Sequence, residues 1–270
     1  MMWRATVSGI PQENSHSRTA LGGHVIETAI EIRTPDGVSD GFLFSTEAAG
    51  RRPGVIHLTD IGGIRSSHRG MAQRLAEKGY VLLLPNVFYR TGRPPMFDFP
   101  FKPGEERSMK RLAELAGPLT PEAMERDASA YVDFLAAQDS VSDGPMGVLG
   151  HCFTGAMSMR TAAARPDKIA VAASLHGGNL FTDKPTSPHL ALPRIKSRLY
   201  FGHAAQDRTM PQEAIENLDR ALATWGGKYE SEVYDGALHG WTVPDSPAYN
   251  QPQAERALGK LTELLAGTLK

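Results

Sequence analysis

The stretch Met146-Gly147-Val148-Leu149-Gly150-His151-Cys152-Phe153-Thr154-Gly155-Ala156 contains the only cysteine of the chain. It begins as an apolar run, turns on Gly-His-Cys, and passes through small residues into a helix-prone segment. This pattern predicts a sharp strand-to-helix turn. The glycines permit the tight bend and close packing, and the residue at its apex is forced into a strained conformation at the head of a helix. A thiol held there faces the positive end of the helix, which favours thiolate. Cys152 is therefore the candidate nucleophile.

The sequence on either side repeats an alternation of strand and helix. Residues 25–33 alternate apolar and polar side chains and read as a strand. Pro35-Asp36-Gly37 reads as a turn, with a return strand at 41–45. Short apolar runs at 53–58 and 80–85 suit strands buried on both faces. Further strands are expected near 145–150, 169–175, 197–202 and 229–234. Helices are expected at 67–78, 120–138, 153–164, 211–225 and 250–267. Thr120-Pro121-Glu122 places a hydroxyl cap and then proline at the start of one of them. The order predicts an α/β fold with a mostly parallel central sheet and helices on both faces. Residues 1–20 read as a polar arm and 21–270 as one domain. Residues 86–120 read as irregular, too long for a connector; rich in Pro, Gly and aromatics in its first half, this segment suits an insertion covering a pocket.

Composition narrows the function classes. The 270 residues carry a net charge of −1, with 41% hydrophobic and 22% charged residues, as in ordinary soluble globular proteins. Such a balance gives no electrostatic footprint for nucleic acid or an anionic membrane. No apolar run is long enough to span a bilayer, and the first residues lack the apolar core of a secretory signal. One cysteine excludes an internal disulfide, and a free thiol fits the cytoplasm.

In a parallel α/β sheet, reactive groups gather beyond the carboxyl ends of the strands. Cys152, Asp207 and His239 each follow a predicted strand, in the order nucleophile, acid, histidine. An imidazole makes thiolate available, and a carboxylate fixes the imidazole tautomer and stabilises its cation. Thiolate attack on an acyl carbonyl creates an oxyanion that needs preorganised N–H donors. The amide of Phe153 supplies one; the loop Thr59-Asp60-Ile61-Gly62-Gly63 supplies the other, through Ile61. Asp235 is a rival acid, but sits in an Asp-Gly turn. Asp60, His151 and Trp241 are candidate pocket residues, with Asp60 serving either as a site carboxylate or as an acceptor that stabilises its loop. His57, His176 and His203 lack the paired spacing of metal ligands, so no metal is expected.

With these residues in hand, the chain resembles the dienelactone hydrolases, also called carboxymethylenebutenolidases, from about Glu31 to the last helix. The resemblance rests on Gly150-His151-Cys152-Phe153-Thr154-Gly155, Phe201-Gly202-His203-Ala204-Ala205-Gln206-Asp207 and Tyr234-Asp235-Gly236-Ala237-Leu238-His239-Gly240-Trp241. Leu75-Ala76-Glu77-Lys78-Gly79-Tyr80 followed by Leu84-Pro85-Asn86 adds to it. It implies an α/β-hydrolase fold and a Cys-His-Asp triad that hydrolyses a small ester or lactone through a thioester, without metal or organic cofactor. The chain departs from the family pattern at three places. Thr154 stands where the family usually has glycine. Asp60 stands where it usually has a glutamate that meets the resting thiol. No arginine follows His239, so a substrate carboxylate would have to be held elsewhere, with Arg107, Lys110 and Arg111 of the insertion as the cations at hand. The same triad also suits a thioesterase or acyltransferase, and a lone thiol suits a ligand-binding or thiol-sensing protein. The oligomeric state is left open.

Overall fold

The computed structural model describes residues 24–47, 50–102 and 104–269. The polar arm expected at 1–20 lies outside them.

The strands β1 (Val25–Thr34) and β2 (Gly37–Thr46) form an antiparallel hairpin around Pro35-Asp36. β2 then pairs antiparallel with β4 (Val81–Pro85). From there the sheet is parallel through β3 (Gly54–Leu58), β5 (Met146–His151), β6 (Ile169–Leu175), β7 (Arg198–Gln206) and β8 (Tyr229–Leu238). The order across the eight-stranded sheet is β1-β2-β4-β3-β5-β6-β7-β8. Strands β3, β4 and β5 are buried along their whole length, which is why they read as continuous apolar runs.

Helices cover both faces. On one side α3 (Pro121–Ala136), α4 (Thr154–Ala164) and α5 (Gln212–Trp225) bury Tyr131, Leu135, Met157, Leu218 and Leu222 against Ile56, Leu83, Val148 and Phe201. On the other, α1 (Ser66–Ala76) and α6 (Gln251–Thr268) bury Leu75, Leu261 and Leu265 against Val55, Leu82, Leu149 and Tyr200. Thr120 caps α3, its hydroxyl accepting the Ala123 N–H at 3.2 Å.

Two expectations are corrected. The segment 86–120 is not irregular throughout: it contains α2 (Glu106–Ala116). The aromatic, proline-rich run before it masks a short amphipathic pattern of Met109, Leu112 and Leu115, and Glu105 supplies no side-chain cap. Asp235-Gly236 is not a turn either. It lies inside β8, where the pairing with β7 shifts register between Ala204 and Gln206. Among the described residues no helix is long and apolar enough to cross a membrane.

The strand order positions the site. From β3 the chain crosses to β4 on one side, then returns to β5 on the other. The crevice beyond the carboxyl ends of β3 and β5 is thus the point where the winding reverses, the place where such sheets bind ligands. The loop 59–63 and the turn at Cys152 both open into it.

Candidate active site

Cys152 sits directly after β5 with φ of 56°, a left-handed conformation that costs a non-glycine residue energy. Its backbone is pinned on both sides. The Cys152 N–H donates to Leu175 O at 3.0 Å, and the Gly155 N–H donates to Cys152 O at 3.0 Å. Gly150 is required here: a Cβ would lie 2.2 Å from Thr154 O. Helix α4 then leads away from Phe153.

Three side chains from three loops meet at this turn. Cys152 Sγ lies 2.9 Å from His239 Nε2, and His239 Nδ1 lies 2.6 Å from Asp207 Oδ2. Asp207 extends from the end of β7 and His239 from the end of β8. The Asp207 side chain is 1% exposed and that of His239 32%, so the acid is sealed while the imidazole reaches the crevice. Burial opposes charge on His239, yet its hydrogen bonds with Asp207 and Cys152 prevail and push its pKa up to about 10. Burial likewise opposes the charge on Asp207, but the bonds with His239 and Thr209 hold it below the ordinary carboxylate value.

Asp207 does not cap the helix that follows it; α5 has Pro211 at its N-cap position. Its Oδ1 instead accepts both the Thr209 N–H, at 2.8 Å, and the Thr209 hydroxyl, at 2.7 Å. The loop after β6 steadies Thr209 in turn, since the Asn179 N–H donates to Thr209 O at 2.7 Å.

The two expected oxyanion donors are free for that task. In the loop after β3 the Asp60, Gly62 and Gly63 amides donate to His68 Nε2, Asp60 Oδ1 and Asp60 O respectively. Among the described residues, the Ile61 and Phe153 amides have no hydrogen-bond acceptor. The register Leu58↔Gly150 brings the two segments side by side, and Thr154 Oγ1 reaches across to Leu58 O at 3.2 Å. The segment 86–120 reaches this loop: Met96 is buried against Gly63, where a Cβ would meet Met96 Cγ at 2.5 Å. The Phe88 ring packs 6.4 Å from that of Phe153.

Of the three pocket candidates, Asp60 takes the second of its two expected roles, that of an acceptor stabilising its loop. Asp60 does not meet the thiol; among the described residues its carboxylate is held by Arg65, His68 and the Gly62 amide. Burial pushes its carboxyl up, but the adjoining His68 and Arg65 hold it well below the carboxylate range. Trp241 is fully buried and stacked on Tyr234 at 4.3 Å, so it packs the core rather than walling a pocket. His151 points away from the crevice, as alternation along a strand requires. Its Nδ1 lies 3.1 Å from Thr242 Oγ1, and it lines a small cavity of about 40 Å³ with His57 and Leu261 beneath α1 and α6.

Sequence reasoning missed Thr242, which supports the site. Thr242 Oγ1 bridges His151 Nδ1 and His176 Nε2, the latter at 2.7 Å, and so ties the loop after His239 to the ends of β5 and β6. His176 packs edge-on to His239, ring centres 5.3 Å apart. His57 pairs with His68 at 2.9 Å, and His203 stacks on Phe201. Among the described residues no group of three or more His, Cys, Asp or Glu side chains is arranged to hold a metal ion.

The sheet order, the strained turn after β5 and the groups converging on it define an α/β-hydrolase. Comparison with known proteins narrows the class. The sequence model of the dienelactone hydrolase family matches residues 39–269, and the chain belongs to that family. A carboxymethylenebutenolidase from Rhodococcus opacus is 29% identical over 221 residues, covering 80% of this chain and 82% of the relative. A crystal structure from Klebsiella pneumoniae assigned as a dienelactone hydrolase superposes with a TM-score of 0.80 at 20% identity, covering 90% and 98% of the two chains. The dienelactone hydrolase-like promiscuous phosphotriesterase P91, from metagenomic libraries, does so with a TM-score of 0.74 at 22% identity, covering 90% and 99%. At these identities the two structures speak to the fold alone, whereas the family match marks the chain as a dienelactone hydrolase-like hydrolase.

Proposed function

We propose that the protein hydrolyses carboxylic esters or lactones of small organic acids through a Cys152-His239-Asp207 triad and a thioester acyl-enzyme. The observation that carries this reading is the continuous contact from thiol to imidazole to sealed carboxylate, 2.9 and 2.6 Å, at a strained strand-to-helix turn.

In this mechanism Cys152 Sγ, as thiolate, adds to the acyl carbonyl carbon, and the electron pair of the C=O moves onto oxygen. The Ile61 and Phe153 amides donate to that oxyanion. When the C=O re-forms, the bond to the leaving oxygen breaks and His239 Nε2–H delivers its proton to it. His239, now neutral, takes a proton from water; the resulting hydroxide attacks the thioester and expels Cys152. Asp207 keeps the His239 Nδ1–H oriented and stabilises the cation. With a lactone, the leaving group stays tethered to the acyl-enzyme, so hydrolysis must outrun ring closure. An enol leaving group helps, because tautomerising to a ketone removes the returning nucleophile.

The test is turnover of purified protein on p-nitrophenyl esters of short acids, small lactones including dienelactone, and thioesters, beside Cys152→Ala. The expected result is ester or lactone hydrolysis that vanishes in the variant. Preference for thioesters, or acyl transfer to an added alcohol, would move the assignment to a thioesterase or acyltransferase. Absence of turnover with a thiol that resists alkylation at neutral pH would overturn it.

A further inference from the structure

Arg65 stands two residues beyond the loop that carries Ile61, and every N–H of its guanidinium has an acceptor. Nη1 donates to Asp60 Oδ1 at 2.6 Å and to Gly63 O at 3.2 Å. Nη2 donates to Asp60 Oδ2 at 2.8 Å and to Asp245 Oδ1 at 3.0 Å, and Nε donates to Asp245 Oδ2 at 2.8 Å. One planar fork thus makes two bidentate carboxylate pairs, an arrangement a lysine cannot reproduce.

The two carboxylates belong to different loops, one after β3 and one after β8. Asp60 is the residue before Ile61, and through its Oδ1 and main-chain oxygen it also accepts the Gly62 and Gly63 amides. Asp245 lies on the loop after His239. That loop is built from successive turns, Val243 N–H to Gly240 O at 3.2 Å and Ser246 N–H to Val243 O at 2.9 Å. Arg65 therefore joins the segment that offers the Ile61 N–H to the segment that follows the candidate base. The Arg65–Asp60 pair is also half-buried, with side chains 29% and 15% exposed, so solvent screens it less than it does surface pairs. A second consequence is electrostatic. An oxyanion held by Ile61 forms next to the Asp60 carboxylate in sequence, and a bare negative charge there would oppose it. Arg65 offsets part of that charge, its single positive charge being shared between Asp60 and Asp245.

We propose that Arg65 is a positioning residue that fixes the Ile61 amide for the oxyanion and partly compensates Asp60. This rests on the thiol-hydrolase reading above. It separates two steps that a general structural role would affect together. Alkylation of Cys152 needs thiolate but no oxyanion donor, whereas ester turnover needs both.

The test compares wild type, Arg65→Gln, Asp245→Asn and the double variant in the full chain. It follows p-nitrophenyl acetate turnover, the rate of Cys152 alkylation by iodoacetamide across pH, and melting temperature. For Arg65→Gln, kcat is expected to fall about ten- to a hundredfold, less than the roughly 10²–10³ for outright loss of an oxyanion donor, because the Ile61 amide is misplaced rather than removed. KM and the alkylation profile should stay at wild-type values. Asp245→Asn, at a more exposed position, should show a smaller fall in kcat, and the double variant should be no slower than Arg65→Gln alone. Unchanged kcat in both single variants would overturn the role of Arg65. So would turnover and alkylation falling in parallel with the melting temperature. Wild-type protein without turnover, or turnover that survives Cys152→Ala, would instead overturn the thiol-hydrolase reading, and the role with it.

Discussion

Thr154 Oγ1 accepts the His151 N–H at 2.9 Å and lies within reach of two carbonyls, His151 O at 3.0 Å and Leu58 O at 3.2 Å. A glycine there would remove this side-chain acceptor from the buried His151 N–H. The hydroxyl thus substitutes for the freedom of a glycine with a fixed hydrogen-bonded turn. Thr154→Val keeps the shape and removes the acceptor, so it should destabilise the fold by about 0.5–1.5 kcal/mol, the net contribution of an intramolecular hydrogen bond. Thr154→Ser should stay close to wild type. Urea unfolding of both variants checks this, and a valine variant as stable as wild type would refute it. Asp207→Asn should lower kcat by roughly 10²–10⁴, as loss of the oriented tautomer does in other triads; a decrease below about tenfold would show that the carboxylate does not orient His239. At this scale legibility in the sequence was uneven. Cys152, Asp207 and His239 stood out because each follows a strand and their order is informative. Thr209, Thr242 and Arg65 did not, because a lone hydroxyl or arginine carries no pattern and its partner is remote. Arg65 and Asp245 lie 180 residues apart, Thr242 and His176 66.

At the scale of elements, periodicity named the hairpin, the parallel strands and five of the helices to within a few residues. It failed where a pattern was short or overlaid. Helix α2 has only Ser108 and Leu115 fully buried, and β8 continues through a bulge that reads locally as a turn. The close approach of α4 to β6 was equally invisible, because it depends on what faces Gly155. A Cβ there would lie 2.3 Å from Ser174 Oγ and 2.8 Å from Gly177 Cα. Gly155→Ala therefore sets two effects against each other. Alanine gains up to about 1 kcal/mol in helix propensity. The contact with main chain cannot be relieved by a rotamer, so the head of α4 must move off β6, at a cost of roughly 1–3 kcal/mol. The net expectation is a modest loss of stability and a larger loss of turnover, because Phe153 moves with the helix head. Denaturant unfolding and turnover on the same samples test it; a stabilised and fully active Gly155→Ala would show that the two elements separate freely.

Over the whole molecule, the sheet buries more imidazole than the triad uses. Burial, the dominant cause, lowers the pKa of His57 and His151 well below the usual histidine value, that of His176 to about 3 and that of His203 to about 4. These rings are neutral in the folded protein, while in the unfolded chain they protonate near pH 6.5. Above that pH neither state binds the protons and the groups do not affect stability. Below it the unfolded chain binds protons that the folded protein refuses, so stability is lost as pH falls, at about 1.4 kcal/mol per pH unit for each group, until each folded value is reached. His239 has the opposite sign: its raised pKa supports folding fully below about 6.5, and that support is lost as pH rises through about 10. The lowered carboxyls of Asp60 and Asp207 add a further loss only as pH falls below the ordinary carboxylate value. Stability should therefore peak near neutral pH and fall by several kcal/mol, in order of magnitude, between pH 6.5 and 5, before any carboxylate titrates. Melting temperatures recorded from pH 8 to 4 measure this directly. His203→Gln should make the acid limb shallower by about one proton, because that ring has no hydrogen-bond partner at Nε2 and titrates in the unfolded chain alone over this range. A melting temperature that stays flat from pH 7 to 5 would mean that these rings take up protons in the folded state, and that the polar layer beneath the site is open to water.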